Sequence, residues 1–228
     1  MTSFVIDVPK IPALPVAGTD ARFPVRRVYC IGRNYAAHAV EMGHDPNKEP
    51  PFFFQKNPDN LDASGTFPYP GKTADVHHEV ELAVVLKSGG SGIAVADALS
   101  HVYGYAVALD MTRRDLQAVA KDMGRPWDTA KAFEHSAPIG PVIPASICGH
   151  PQAGAITLTV NGTLRQSGDL NQMIWKIPEM IAYLSEYFTL AAGDVILTGT
   201  PSGVGPVVRG DRLEASVEGF APFTVEVV

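Results

Sequence analysis

A chain of 228 residues with 46% hydrophobic and 18% charged residues has enough apolar material for a sizeable core, which excludes a disordered polypeptide. Against roughly 150 residues per domain, the length favours one large domain with a short appendage over two full domains. A formal charge of −6 with no lysine- or arginine-rich block gives nucleic acid nothing to grip, and no apolar run reaches the ~18 residues of a membrane span.

A small-molecule partner and a soluble, cytoplasmic protein are therefore expected, with no secretion signal in residues 1–8. Cys30 and Cys148 stand far apart and outside any C-x-x-C spacing, so neither a zinc site nor a disulfide framework is indicated. The 21 glycines and 19 prolines favour tight turns between short strands over a helical bundle.

Along the chain, residues 1–24 read as an extended N-terminal leader running over the surface, and 25–228 as a single catalytic domain. Residues 28–31 form a short apolar run ended by Gly32, hence a strand, after which Asn34 can cap a short helix stopped by Gly43. Residues 76–86 predict a strong strand, and 102–110 another that ends in Asp110. A helix follows over 112–123, with Thr112 and Asp115 in capping-box register and Leu116, Val119, Ala120 and Met123 as its apolar stripe. Residues 156–160 lead into an Asn161-Gly162 hairpin turn, 177–188 form a helix beginning near Pro178, and the tail from 194 alternates short β runs with turns. One α+β domain, predominantly β, results.

Strand alternation places Val80, Leu82, Val84 and Leu86 on one face and Glu79 and Glu81 on the other. Two neighbouring carboxylates suit a solvated edge equally well. Asp110 shifts the balance, because it ends a strand whose Gly104, Ala106 and Ala108 leave the same face bare. Three acids could hold a hard divalent cation, which would also explain how like charges are crowded together. His38 and Glu41, three apart, can pair as a water-activating base with its orienting carboxylate, although such a pair on a surface turn is more often structural. Arg114 and Gln117 lie one turn apart, opposite the apolar stripe, which fits a solvated face. Residues 198–205, Thr-Gly-Thr-Pro-Ser-Gly-Val-Gly, offer hydroxyls and close backbone approach to an anion but lack the P-loop ending; a plain turn between strands is the alternative.

Taken in order, residues 30–38 (CIGRNYAAH), 54–56 (FQK), 78–82 (HEVEL), 109–117 (LDMTRRDLQ), 130–133 (AKAF) and 197–201 (LTGTP) resemble the fumarylacetoacetate hydrolase family, specifically its short acylpyruvase branch. Phe52, Phe53 and Phe54 together with residues 124–129 are similar to bacterial fumarylpyruvate hydrolases. The resemblance implies a mixed β-sandwich roll, a homodimer, and Mg²⁺ or Mn²⁺ on Glu79, Glu81 and Asp110. It casts His38 and Glu41 as the water-activating dyad, and Lys131, with Gln117, as the group meeting the developing oxyanion. Arg33, Lys56, Arg114 and Thr200 are cast as substrate-holding groups. The activity it implies is hydrolysis of the C–C bond of 2,4-dioxo acids, fumarylpyruvate foremost, in aromatic-compound breakdown. An oxaloacetate decarboxylase or a dienedioate isomerase on the same scaffold, or a catalytically silent ligand-binding protein, are the alternatives.

Overall fold

In a computed structural model, which describes residues 4–37 and 52–228, two sheets pack face to face. Across the larger sheet the strands run Ile143–Pro144, Val102–Leu109, Val80–Leu86, Asp194–Leu197, Arg27–Gly32 and Phe52–Lys56. Neighbours are antiparallel except Asp194–Leu197 and Arg27–Gly32, which pair in parallel. The second sheet orders Thr163–Asp169, Ala155–Val160, Arg212–Val217, Phe223–Val227 and Thr66–Phe67. The fold is mixed α+β and mostly strands, and no helix among the described residues is long and apolar enough to cross a membrane.

Every position of Val80–Leu86 is buried, because both faces of the larger sheet are covered. Val80, Leu82, Val84 and Leu86 share a core with Ile156, Leu158, Leu213 and Val217 of the second sheet and with Met180, Ile181 and Leu184 of the helix Ile177–Tyr187. On the opposite face Ala83, Val85, Ala106, Ala108, Val195 and Leu197 meet Leu14, Val16, Phe23, Val25, Ile139 and Val142. The leader expected over residues 1–24 is thus not uniform. Phe4, Val5, Ile6, Val8 and Ile11 are exposed, whereas Ala13–Pro15 pairs with Arg22–Pro24 in a small antiparallel sheet that caps the core.

The expected strand over 76–86 changes sheets at Glu79. Val76–His78 pairs with Thr112–Arg113 and Gly205–Val207, while Val80–Leu86 enters the large sheet. The Glu79 carbonyl accepts the Asp110 backbone N–H at 2.8 Å, so the two acids sit side by side at the break.

The helix expected over 112–123 spans Arg114–Asp122 and is rotated from the orientation predicted, with Ala120 of the expected stripe buried and Leu116 half-buried. Val119 and Met123 of the supposed inner stripe are 53% and 54% exposed, whereas Gln117 is buried. Asp115 makes no capping box with Thr112; its carboxylate accepts from the Thr73 hydroxyl at 2.7 Å and the Ala74 N–H at 3.0 Å. Tertiary pairing of Thr112–Arg113 with Val76–His78 takes the residues that would have begun the helix and turns its polar edge inward. The Asn161-Gly162 turn forms with φ of 52° and 76°, as a two-residue hairpin of this type requires.

Candidate active site

Glu79, Glu81 and Asp110 lie at the floor of a cleft and are at most 5% exposed; each offers an oxygen within 4.8 Å of the others. The cleft opens to solvent and is walled by Ile31, Arg33, Phe52, Phe54, Arg114, Gln117, Lys121, Trp127, Lys131, Gly199 and Thr200. Strand geometry explains the aromatic wall. Phe52 and Phe54 project to one side, where their rings lie 5.1 Å and 5.8 Å from Trp127, while Phe53 turns to the other and packs on Tyr183, Tyr187 and Phe188. Gly32 makes room for this arrangement, since a Cβ there would lie 2.6 Å from the Phe52 ring.

Cations interleave with the three acids. The Lys131 ammonium donates to Glu79 Oε2 at 2.9 Å and to Asp110 Oδ2 at 2.7 Å. Arg114 donates to Glu79 Oε1 at 2.5 Å and to the Gln117 amide oxygen at 2.6 Å, leaving the Gln117 NH₂ for the cleft. Lys56 stands 2.9 Å from Asp110 Oδ1 and donates to Ser136 Oγ at 3.0 Å and to the Lys131 carbonyl. Expected as a substrate-holding group, Lys56 is instead placed behind the acids and off the cleft wall, its ammonium fully committed to the floor.

Glu81 receives the Gly199 N–H at 2.7 Å. This is the backbone approach to an anion that the Thr198-to-Gly205 loop suggested, with the protein's own carboxylate as the anion. Gly199 has φ of +95°, and a Cβ there would stand 2.8 Å from Asn34 Cβ, so only glycine suits the position. Asn34, expected to cap a helix, holds this corner: its side chain donates to the Thr198 and Trp175 carbonyls at 2.8 Å and 3.0 Å and accepts the Trp175 N–H at 2.7 Å.

Burial, then the charges of Asp110 and Glu79, push the Glu81 carboxyl well above the usual carboxylate range. For Lys131 burial pulls downward, but the charges of Asp110 and Glu79 outweigh it and the ammonium is held more firmly than usual. Asp110 Oδ1, although buried and near Lys56, accepts no directed hydrogen bond. Three carboxylates with one under-used oxygen and a raised proton affinity are the donor set a hard divalent cation takes, and they fit one.

A buried network behind the floor escaped the sequence reading. The Gln166 side-chain oxygen accepts the Val80 N–H at 3.0 Å and His78 Nδ1–H at 2.9 Å. Its NH₂ donates to Thr200 Oγ1 at 2.8 Å and to the Pro201 carbonyl at 2.9 Å, and Thr200 in turn donates to the Val80 carbonyl at 2.8 Å. Because a backbone N–H can only donate, the amide orientation is fixed, and burial keeps His78 below its ordinary pKa and neutral. Nothing in the local pattern of a hairpin strand signals such a residue. Lys121 could have been found, since Arg114, Gln117 and Lys121 follow the i, i+3, i+7 spacing of one helix face. His38 and Glu41 lie outside the described residues.

The family profile fumarylacetoacetate (FAA) hydrolase C-terminal matches residues 27–228. The chain belongs to the fumarylacetoacetate hydrolase family. A fumarylpyruvate hydrolase from Pseudomonas aeruginosa, solved with Mn²⁺ and pyruvate, is 49% identical over 99% of each chain and superposes with a TM-score of 0.97. A candidate fumarylpyruvate hydrolase from Burkholderia cenocepacia is 52% identical over 99% of this chain and 98% of its own, with a TM-score of 0.93. An oxaloacetate tautomerase from Escherichia coli is 44% identical over 87% of this chain and 91% of its own length. This family member therefore carries a buried acid triad suited to a divalent metal, at the floor of a cleft.

Proposed function

We propose that this chain is a divalent-metal-dependent hydrolase that cleaves the C–C bond of acylpyruvates, with fumarylpyruvate as the main substrate, in aromatic-compound breakdown. The observation that carries the reading is the three-acid cluster beside Lys131 at the floor of a cleft. Likeness over 99% of the chain to a fumarylpyruvate hydrolase supports the choice of acyl group. The metal would rest on Glu79, Glu81 and Asp110 and, when bound, supplies the positive charge that polarises the pyruvoyl oxygens and stabilises an enolate.

Arg114, Arg33 and Thr200 hold and orient the 2,4-dioxo acid in the cleft. His38, oriented by Glu41, takes a proton from water as the oxygen attacks the C4 carbonyl. Lys131 and the Gln117 NH₂ receive the oxyanion formed there, a contact typically worth about 3 kcal/mol. The C3–C4 bond then breaks, its electron pair passes to C3, and the enolate of pyruvate takes up a proton as the acyl group leaves as a carboxylate. Lys56 does not touch the substrate; it positions Asp110.

The name of the Escherichia coli relative supports a second reading, interconversion of the keto and enol forms of oxaloacetate. That reaction needs a proton shuttle but no attacking water. Purified protein with Mg²⁺ should convert fumarylpyruvate to stoichiometric pyruvate and fumarate, stop on addition of a chelator, and recover with Mg²⁺ or Mn²⁺. Turnover of oxaloacetate enol with no pyruvate released from fumarylpyruvate would replace hydrolysis with tautomerisation. His38→Ala should lower fumarylpyruvate hydrolysis about a hundredfold or more while oxaloacetate decarboxylation, which uses no activated water, falls much less. Equal losses would remove water activation from His38.

A further inference from the structure

The hairpin strand Thr163–Asp169 breaks the alternation that a half-buried strand should keep. Leu158 of the neighbouring strand pairs with Gln166, yet the next residue, Thr159, pairs with Leu164, so Arg165 is the extra residue of a β-bulge. The bulge leaves Leu164 57% exposed and turns Gln166 fully inward. Without it these two residues, two apart, would share one face. Leucine outside and glutamine inside runs against the ordinary preference for burial, and local rules broken in this way concentrate at functional sites.

The inward side chain closes a ring on Val80, the residue between Glu79 and Glu81. Val80 N–H donates to the Gln166 side-chain oxygen at 3.0 Å, the Gln166 NH₂ donates to Thr200 Oγ1 at 2.8 Å, and the Thr200 hydroxyl donates to the Val80 carbonyl at 2.8 Å. The Val80 N–H belongs to the peptide plane that follows Glu79, and its carbonyl to the plane that precedes Glu81. Asp194–Leu197 pairs only with residues 83–85 of this strand, and beyond that point Gln166 and Thr200 take the place of a strand at Val80. The loop that carries Thr200 is also pressed against the hairpin. A Cβ at Gly168 would lie 2.7 Å from Pro201 Cβ, one at Gly203 would strike the Arg165 carbonyl, and the Gln166 NH₂ reaches the Pro201 carbonyl at 2.9 Å.

We infer that Gln166 is a positioning residue for the acid cluster: it fixes the two peptide planes that aim Glu79 and Glu81, seats the loop whose Gly199 N–H meets Glu81, and so sets the affinity for a divalent cation. Gln166 is not part of the cleft wall and acts through the acids alone. The inference rests on the reading of Glu79, Glu81 and Asp110 as a metal site and extends that site to a bulged hairpin on the second sheet.

Calorimetry of Mg²⁺ binding tests it. Gln166→Met should weaken binding about tenfold to a hundredfold, the usual cost of removing a group that orients a metal ligand. Thr200→Val should do likewise, and Thr200→Ser should keep most of the affinity, because a serine hydroxyl completes the ring. Combining Gln166→Met with Thr200→Val should cost little more than either change alone, since each breaks the same ring. Val225→Ala opens a cavity three strands away in the same sheet and controls for a general loss of stability; its Mg²⁺ affinity should stay near that of wild type. Equal weakening in Val225→Ala, additive losses in the double variant, or full affinity in Gln166→Met would overturn the inference. Amide hydrogen exchange on the metal-free protein gives a second measure: in Gln166→Met the Val80 N–H should exchange about tenfold faster relative to Val84 of the same strand. Uniform acceleration along the strand would make Gln166 merely structural. If wild-type protein binds no Mg²⁺, the metal reading fails, and the exchange at Val80 alone decides whether Gln166 positions the acids.

Discussion

At the floor of the cleft Glu79, Glu81 and Asp110 are almost wholly buried, and Lys56, Lys131 and Arg114 reach in to pair with Asp110 and Glu79; at the mouth, Arg33 and Lys121 lie over the Phe52 and Trp127 rings. Charges inside the protein are tolerable only with partners at hand, whereas charges nearer the surface keep part of their water and constrain the fold less. The difference teaches that fold stability and the acid cluster are bound together at the floor, while side chains at the mouth can change at little cost to the fold.

The sharpest way to break that comparison is Asp110→Asn. It removes a carboxylate that two lysines share, so turnover should drop by a thousandfold or more and Mg²⁺ affinity should collapse in calorimetry. Undiminished Mg²⁺ binding would show that the acids of the floor are not the metal site. Deleting one of three crowded acids by itself relieves repulsion. With Lys56 and Lys131 both on Asp110, the metal-free variant should instead lose stability in urea unfolding.

Lys56→Met sharpens the comparison from the other side, because it changes a buried charge with no contact to the cleft. Leaving Asp110 short of a partner should cost the metal-free protein about 3 kcal/mol by denaturant titration, and the extra negative charge should tighten Mg²⁺ binding. A variant as stable as wild type would place Lys56 outside the floor's charge balance.

The smallest effect expected is on pH dependence. The Glu81 carboxyl, raised by burial and by Asp110 and Glu79, keeps its proton at pH values where an ordinary glutamate, with a pKa of about 4.3, has lost it. In the metal-free protein the neutral form is the stabilised one, so this contribution is present at low pH and is lost as pH rises through the raised value. Metal binding has the opposite sign, since the carboxylate must ionise to act as a ligand. Mg²⁺ affinity should therefore weaken as pH falls through the Glu81 transition, and Glu81→Gln, already much weaker, should lose that dependence.

The acid triad was legible because period-two alternation and a bare strand face are local properties, and residues 80–86 obey them throughout. The break at Glu79 was not, because it depends on which strands the chain meets later. The inward turn of Arg114 and Gln117 was likewise hidden. Val119 and Met123 look like core residues by spacing, yet the helix is oriented by what Thr112, Arg113 and Asp115 bind. Lys56 could be placed in the site by resemblance but not behind it, since its partner Ser136 is distant in sequence. Gln166 sits mid-hairpin with no pattern around it, and only a folded core reveals that all four of its hydrogen bonds are made.

The parallel pairing of Arg27–Gly32 with Asp194–Leu197 bears on the order in which the molecule can assemble. The strand nearest the start of the domain waits for a partner from its last quarter, and Glu81 waits for the Gly199 N–H that follows that partner. As the chain leaves the ribosome, the acids, Lys56 and Lys131 are all present before the segment that seals them in. Such long-range closure makes for slow folding, because the entropy of a large loop must be overcome before its contacts form. Until residue 200 has emerged, the acid cluster has neither its glycine N–H donor nor the strand that walls it off from water, so the nascent chain should gain metal affinity late and in a single step.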